Sequence, residues 1–497
     1  MEKDQSSSPA TVFSFRSFCC ILVIVSSVSS ISFFYWSQYY YSTRSSFSLP
    51  LYDQNTPINL LTYTSAWNHL TFSSDPPKKL LKIALFVKKW PQRNLAGGLE
   101  RHALTLHLAL AKRGHELHIF TTTTTNDTNT TTFPNMNFHL SRPTSGGYLD
   151  QALVWNQFQI QNSTGKPFDV VHTESVGLMH TRAKNVKNLA VSWHGIAYET
   201  IHSDIIQEMV RSPEEQRSHT LTERSIKVAD EVKFFPRYSH HVATSDHCGD
   251  VLRRIYMIPD GRVHVILNGV DEQVFKPNPA EGKAFRHKVG IPESETALVL
   301  GMAGRLVKDK GHPIMFEALS QIFAEQDDAF RKRVHVIVAG DGPWGARYRE
   351  LGSNLLVLGP LKQSELASFY NAIDVFVNPT LRAQGLDHTL LEATMSGKPV
   401  MATRFASITG SVIVGPEMGY TFSPTVSSLK DALLNVIGDG RKTLEKKGQM
   451  ARQRALKLFT ATKMATAYER LFLCISNSTS NEDGDYCKYI PPPHFSG

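Results

Sequence analysis

The sequence has no Lys/Arg tract interleaved with aromatic residues, so it lacks the usual footprint of a nucleic-acid surface and no nucleic-acid partner is expected. Its 53 basic and 45 acidic residues give a net charge of +8, a mild attraction for anionic substrates or membrane surfaces. No internal repeat of solenoid period is present. Cysteine is scarce, at five residues, and the spacing does not make a zinc site, so no metal is expected. Cys474 and Cys487 can form a disulfide near the C-terminus, which leaves Cys248 unpaired, while Cys19 and Cys20 are candidates for acylation.

Charge is also missing from residues 18–36, a run about as long as a helix needs to cross a bilayer, with Phe33, Phe34, Tyr35 and Trp36 suited to the far interface. The run reads as an uncleaved transmembrane signal anchor. A cleaved signal peptide, cut near Ser30, is the competing reading. Residues 1–17 then form a cytosolic tail and 37–79, rich in Ser, Thr, Tyr, Asn and Pro, a stem. Asn126, Asn129, Asn162 and Asn477 each open an Asn-x-Ser/Thr acceptor pattern and all follow the run. The expectation is a Golgi or ER membrane, single-pass type II, with the body in the lumen.

From about residue 80 the pattern is α/β. Strand-like apolar runs at 82–87, 116–120, 169–172, 189–193 and 263–267 alternate with helical segments, beginning with 99–113, which Gly114 ends. The alternation restarts with a strand at 297–303, a helix at 312–324, and strands at 334–339, 354–358 and 399–403. Two Rossmann-like doubly wound domains facing a cleft follow, at 80–270 and 271–450. A last helix, 451–476, precedes an irregular tail, 477–497.

The chemistry gathers in loops after strands. Gln384, Gly385, Leu386 and Asp387 form a glycine-opened turn before a helix, with Asp387 a good N-cap type, so backbone amides at the positive end of the helix dipole can meet a diphosphate or polarised sugar. Glu392, about a turn and a half further on, can accept hydrogen bonds from two ribose hydroxyls. Arg305 and Lys310, on the loop after 297–303, offer a guanidinium fork and a point ammonium to a diphosphate leaving group. Gly97 and Gly98 make a strand–helix turn that lets backbone approach a ligand. His194 follows strand 189–193 and turns an imidazole to the cleft. His172 and Glu174 end strand 169–172 and are acceptor-side candidates, whereas His102 reads as a packing residue.

The 384–392 stretch resembles the Glu-x7-Glu signature of retaining glycosyltransferases of family 4, with Gln384 in place of the first Glu. The loop from Gly304 to Gly311, the Gly97-Gly98 turn, the 192–195 and 339–343 segments and the Asn268-Gly269 crossing resemble elements of the same family, in order, over about 80–475. The resemblance implies a GT-B fold whose last helix returns to the first domain, and a nucleotide sugar as donor substrate with no separate cofactor. It further implies a carbohydrate-bearing acceptor, transfer with retention, and His194 beside the transferred sugar. Because Gln384 keeps a carbonyl acceptor and loses the charge, a catalytically silent nucleotide-sugar or glycan-binding protein on the same fold is the alternative.

Overall fold

Apolar runs too short for helices become parallel strands buried on both faces. The first sheet contains β1 (Lys82–Phe86), β2 (Glu116–Thr122), β3 (Met136–Ser141), β4 (Val170–Glu174), β5 (Leu189–Trp193), β6 (His240–Ala243) and β7 (Val263–Val265). Its order is β3-β2-β1-β4-β5-β6-β7, parallel throughout. The second contains β8 (Leu298–Ala303), β9 (Val334–Ala339), β10 (Leu355–Gly359), β11 (Val375–Asn378), β12 (Val400–Thr403) and β13 (Gly419–Phe422), in the order β10-β9-β8-β11-β12-β13 and also parallel. In each sheet the winding reverses beside its first strand, which opens a crevice at the carboxyl ends of the strands. The computed structural model describes residues 57–90, 97–122, 133–144, 149–216, 219–292, 294, 297–383, 385–476 and 485–491, all within one unit.

Helix α1 (Gly98–Lys112) buries His102, Ala103, Leu106, His107, Leu110 and Ala111, a stripe at helical spacing laid on the first sheet. Helices α2 (Ala197–Met209), α3 (His388–Met395), α4 (Val426–Leu458, kinked at Gly440) and α5 (Ala461–Ile475) complete the frame used below. The single helix predicted over 451–476 is two pieces. α4 ends at Leu458, and the Thr460 side chain accepts from the Lys463 amide to cap α5. At this break the chain crosses: Val270 donates to the Phe459 carbonyl at 2.9 Å and Ala461 donates to the Val270 carbonyl at 2.9 Å. Beyond it α5 packs on α1, with Met464, Tyr468, Leu471 and Phe472 in one core with Ile83 and Leu106.

The predicted stem, 37–79, needs correction over its described part. Leu60, Trp67 and Leu70 are buried in the same core as α5, and Asn68 donates to the carbonyls of Leu267 (3.2 Å) and Leu458 (2.8 Å), tying the segment to the crossing. The tail is not wholly irregular either. Lys488–Tyr489 pairs antiparallel with Ile58–Asn59, and Cys474 is bonded to Cys487 with Cα atoms 4.8 Å apart. Cys248 is free and buried. Among the described residues no helix is long and apolar enough to cross a membrane; the 18–36 run, with Cys19 and Cys20, lies outside them.

Candidate functional site

The two crevices meet in one cavity of about 1090 Å³. From the first sheet it takes Gly97, Gly98, Arg101, Trp193 and His194; from the second, Arg305, Lys310, Gly385, Leu386, Asp387 and His388. All the predicted donor-side residues except Gln384 and Glu392 therefore converge. Gln384 lies outside the described residues.

β5 delivers His194 to the cavity because its last residue, Trp193, is clamped by stacking on Phe235, with ring centroids 3.9 Å apart. His194 Nε2 lies 2.6 Å from Glu174 Oε2, and Glu174 Oε1 lies 3.1 Å from His102 Nδ1. Burial alone would raise the Glu174 carboxyl; His102, His172 and His194 outweigh it and hold it well below the usual range. Glu174 and His172 are both fully buried behind His194, so their predicted acceptor-side position is corrected to a supporting layer. His102 is likewise more than packing, since it shares that carboxylate with His194.

On the opposite wall Lys310 Nζ lies 2.5 Å from Asp387 Oδ2, and Asp387 Oδ1 accepts from the Thr389 amide at 3.2 Å as the N-cap of α3. Burial would raise the Asp387 carboxyl, but Lys310 and the Thr389 bonds reverse the sign and hold it low. Arg305 is exposed and makes no ion pair among the described residues, so its guanidinium is available to a ligand. The glycine turn reaches across the cleft. Gly385 has φ +64°, and a Cβ there would sit 3.6 Å from the His194 carbonyl. Asn268 of the crossing donates to the Leu386 carbonyl at 3.2 Å, and Ala383 donates to Ser203 of α2 at 2.9 Å.

Glu392 does not reach the cavity directly, which corrects its predicted ribose contact. Arg101 pairs with its Oε1, and Tyr370 OH donates to its Oε2 at 2.8 Å, so Arg101 stands between it and the ligand space. Arg101, Tyr370 and the imidazole of His388, whose backbone amide alone the sequence pointed to, were missed by sequence reasoning. Arg101 is adjacent to the Gly97-Gly98 turn, a signal that could have been used; Tyr370, on a helix remote in sequence, gave none. His388 lines the cavity, and its Nε2 is buried with no partner among the described residues. Burial, then His102, Arg101 and His194, push its pKa down to about 3, so it meets a ligand as a neutral ring.

Glu199 of α2 lies behind the glycine turn and is 2% exposed. The backbone amides of Gly385 and Ile196 face its carboxylate, and Oε1 lies 3.9 Å from His247 Nε2. Burial pushes its pKa from 4.5 up to about 8. The folded chain thus keeps a proton that the unfolded chain releases, and stability falls as pH rises from about 4.5 to about 8. Glu199→Gln is expected to remove this slope, worth on the order of 4 kcal/mol, so the variant melts higher than wild type at pH 8.5 but not at pH 4.5. Thermal melts at the two pH values check it.

Two doubly wound parallel domains closing on a cation-lined cleft define a GT-B architecture. The family model "Glycosyltransferase Family 4" matches residues 96–274 and the model "Glycosyl transferases group 1" matches 297–439. The chain belongs to the GT-B glycosyltransferases of family 4. A D-inositol 3-phosphate glycosyltransferase 2 of Catenulispora acidiphila is 26% identical over 46% of this chain and 54% of its own length. An alpha-monoglucosyldiacylglycerol synthase of Streptococcus pneumoniae is 26% identical over 65% of this chain and 71% of its own. Anabaena HepE, solved in complex with UDP-glucose, superposes with a TM-score of 0.56 at 18% identity, covering 79% of this chain and 99% of HepE. The chain spans about half the length of the first curated relatives it matches, 54% and 48%.

These relatives overturn the predicted Golgi or ER location with a luminal body. They come from bacteria, which have neither compartment. Of the four acceptor patterns, Asn126, Asn129 and Asn477 lie outside the described residues, and Asn162 Oδ1 accepts from the Phe168 amide at 3.0 Å in a local turn.

Proposed function

We propose that the chain transfers a sugar from a nucleotide-diphosphate-sugar to a carbohydrate-bearing acceptor with retention of anomeric configuration. The observation that carries this reading is the opposition, in one cavity, of Arg305 and Lys310 to His194, with the Gly385 turn between them. The donor is a substrate, not a cofactor. Its departing diphosphate develops negative charge, which Arg305 meets directly and Lys310 meets from its anchor on Asp387. Backbone at Gly385 and Leu386 and the neutral ring of His388 receive the sugar hydroxyls, and His194, held by Glu174, faces the reacting end. Arg101, fixed by Glu392, replaces Glu392 itself as the group presented to the nucleotide side. UDP-glucose in HepE supports the donor class.

The test is release of nucleoside diphosphate by the purified full chain from a panel of UDP-, GDP- and ADP-sugars, with NMR coupling constants of any glycoside formed. Release and a product of the donor's configuration are expected. An inverted product would contradict retention. Binding of a nucleotide sugar without any release would favour the silent binding protein suggested by Gln384.

A further inference from the structure

We propose that Tyr468, on the C-terminal helix α5, is a positioning residue for His194, acting through a buried hydrogen-bond chain whose fixed polarity stores one proton between His102 and Glu174. The proposal rests on the reading of His194 as the group facing the transferred sugar.

The chain begins at a backbone carbonyl. His107 Nδ1 lies 2.7 Å from the Ala103 oxygen, which can only accept, so His107 carries its proton on Nδ1. Its Nε2 is then a lone pair, 3.1 Å from His172 Nδ1, which must donate. His172 Nε2 is in turn an acceptor, 2.8 Å from Ser192 Oγ. Ser192 spends its hydrogen there and accepts from Tyr468 OH at 2.7 Å. Tyr468, having given its hydrogen to Ser192, accepts from His102 Nε2 at 3.3 Å.

The consequence falls on the last link. A neutral His102 with its proton on Nε2 would turn a bare Nδ1 lone pair toward Glu174 Oε1, 3.1 Å away, acceptor against acceptor. One additional proton closes the contact. Reversing the polarity at any earlier link moves that proton to another imidazole, further from Glu174, the carboxylate at the end of this hydrogen-bond series. Burial lowers the His102 pKa and the Glu174 carboxylate offsets this only in part, so the added proton is held by the contact between the two and not by His102 alone. The other titratable groups bearing on the pair are His194, His107, His172 and His388. With Oε1 occupied, Glu174 Oε2 is left for His194 Nε2 at 2.6 Å, which fixes the His194 tautomer and ring plane.

Tyr468 is the member of this chain that lies outside the first domain's sheet and α1. Its ring packs against His102, His172 and Phe472, with centroids 5.7, 5.5 and 5.7 Å apart, so Phe keeps the packing and removes only the oxygen. In Tyr468→Phe the full chain should show kcat reduced roughly ten- to a hundredfold, with KM for the nucleotide sugar unchanged. The basic limb of its kcat/KM profile should move about one pH unit lower, because His102 Nε2–H has lost its acceptor. A lower melting temperature with kcat and the limb unchanged would overturn the proposal.

A second measurement does not need turnover. In 15N-histidine-labelled full chain, NMR should find His102 protonated on Nε2, and His107 and His172 protonated on Nδ1. A His102 with a bare Nε2 would overturn the chain polarity whatever the activity. Should wild type release no sugar, the reading of the site fails while these nitrogen signals still decide the relay.

Discussion

Arg305→Ala should lower kcat/KM for nucleotide-sugar cleavage about a hundred- to a thousandfold, the usual cost of removing one preorganised group aimed at developing negative charge. The melting temperature should hardly move. Arg305 is exposed and has no ion pair to lose among the described residues, so the variant leaves no buried charge behind. Arg305→Lys should recover part of the rate, since a point ammonium restores charge but not the two-pronged geometry. Steady-state kinetics with thermal melts separate the two readouts. Loss of activity accompanied by an equal loss of fold would remove Arg305 from the donor site.

The second large effect is on stability. Glu392→Ala should cost about 3–5 kcal/mol, because it strands the Arg101 guanidinium and the Tyr370 hydroxyl, both of which now satisfy themselves on that carboxylate. Burial raises the Glu392 carboxyl and the Arg101 charge opposes the rise, so the pair works only while both partners remain. Glu392→Gln should cost less, as it keeps one acceptor for Arg101. Urea midpoints of the two variants check the order. If Glu392 instead met the ribose alone, both would raise KM and leave the midpoint in place.

Much of the architecture was legible because it depends on local patterns. Runs such as 189–193 and 334–339 are continuous apolar segments bounded by turns, and they are strands β5 and β9 to the residue. The donor loops were legible for the same reason: Arg305, Lys310, Gly385 and Asp387 follow strands or open helices, and such positions face the cleft in a doubly wound sheet. What was not legible depends on contacts distant in sequence. Trp67 has no periodic context, yet it is fully buried in the core that holds α5. Glu392 looked like a ligand group because its partner, Arg101, is 291 residues away. Glu174 and His172 stand at a strand end pointing toward the cleft, but His194 comes from the neighbouring strand and covers them. Thr460 broke a helix that periodicity would have continued, through a side-chain cap. The compartment was misread for a different reason: Asn-x-Ser/Thr is a three-residue pattern that Ser- and Thr-rich stretches produce by chance, so it does not by itself report a location.

The central claim is that the cavity between the two sheets takes a nucleotide diphosphate on Arg305 and Lys310. Calorimetric titration of UDP, GDP and ADP into the full chain, wild type beside Arg305→Ala, tests it most directly. At least one nucleotide should bind wild type and, at a hundredfold excess over Kd, stabilise it by about 2.7 kcal/mol, with binding to Arg305→Ala lost or weakened at least tenfold. Failure of all three to bind wild type, or equal binding to both proteins, would contradict the account.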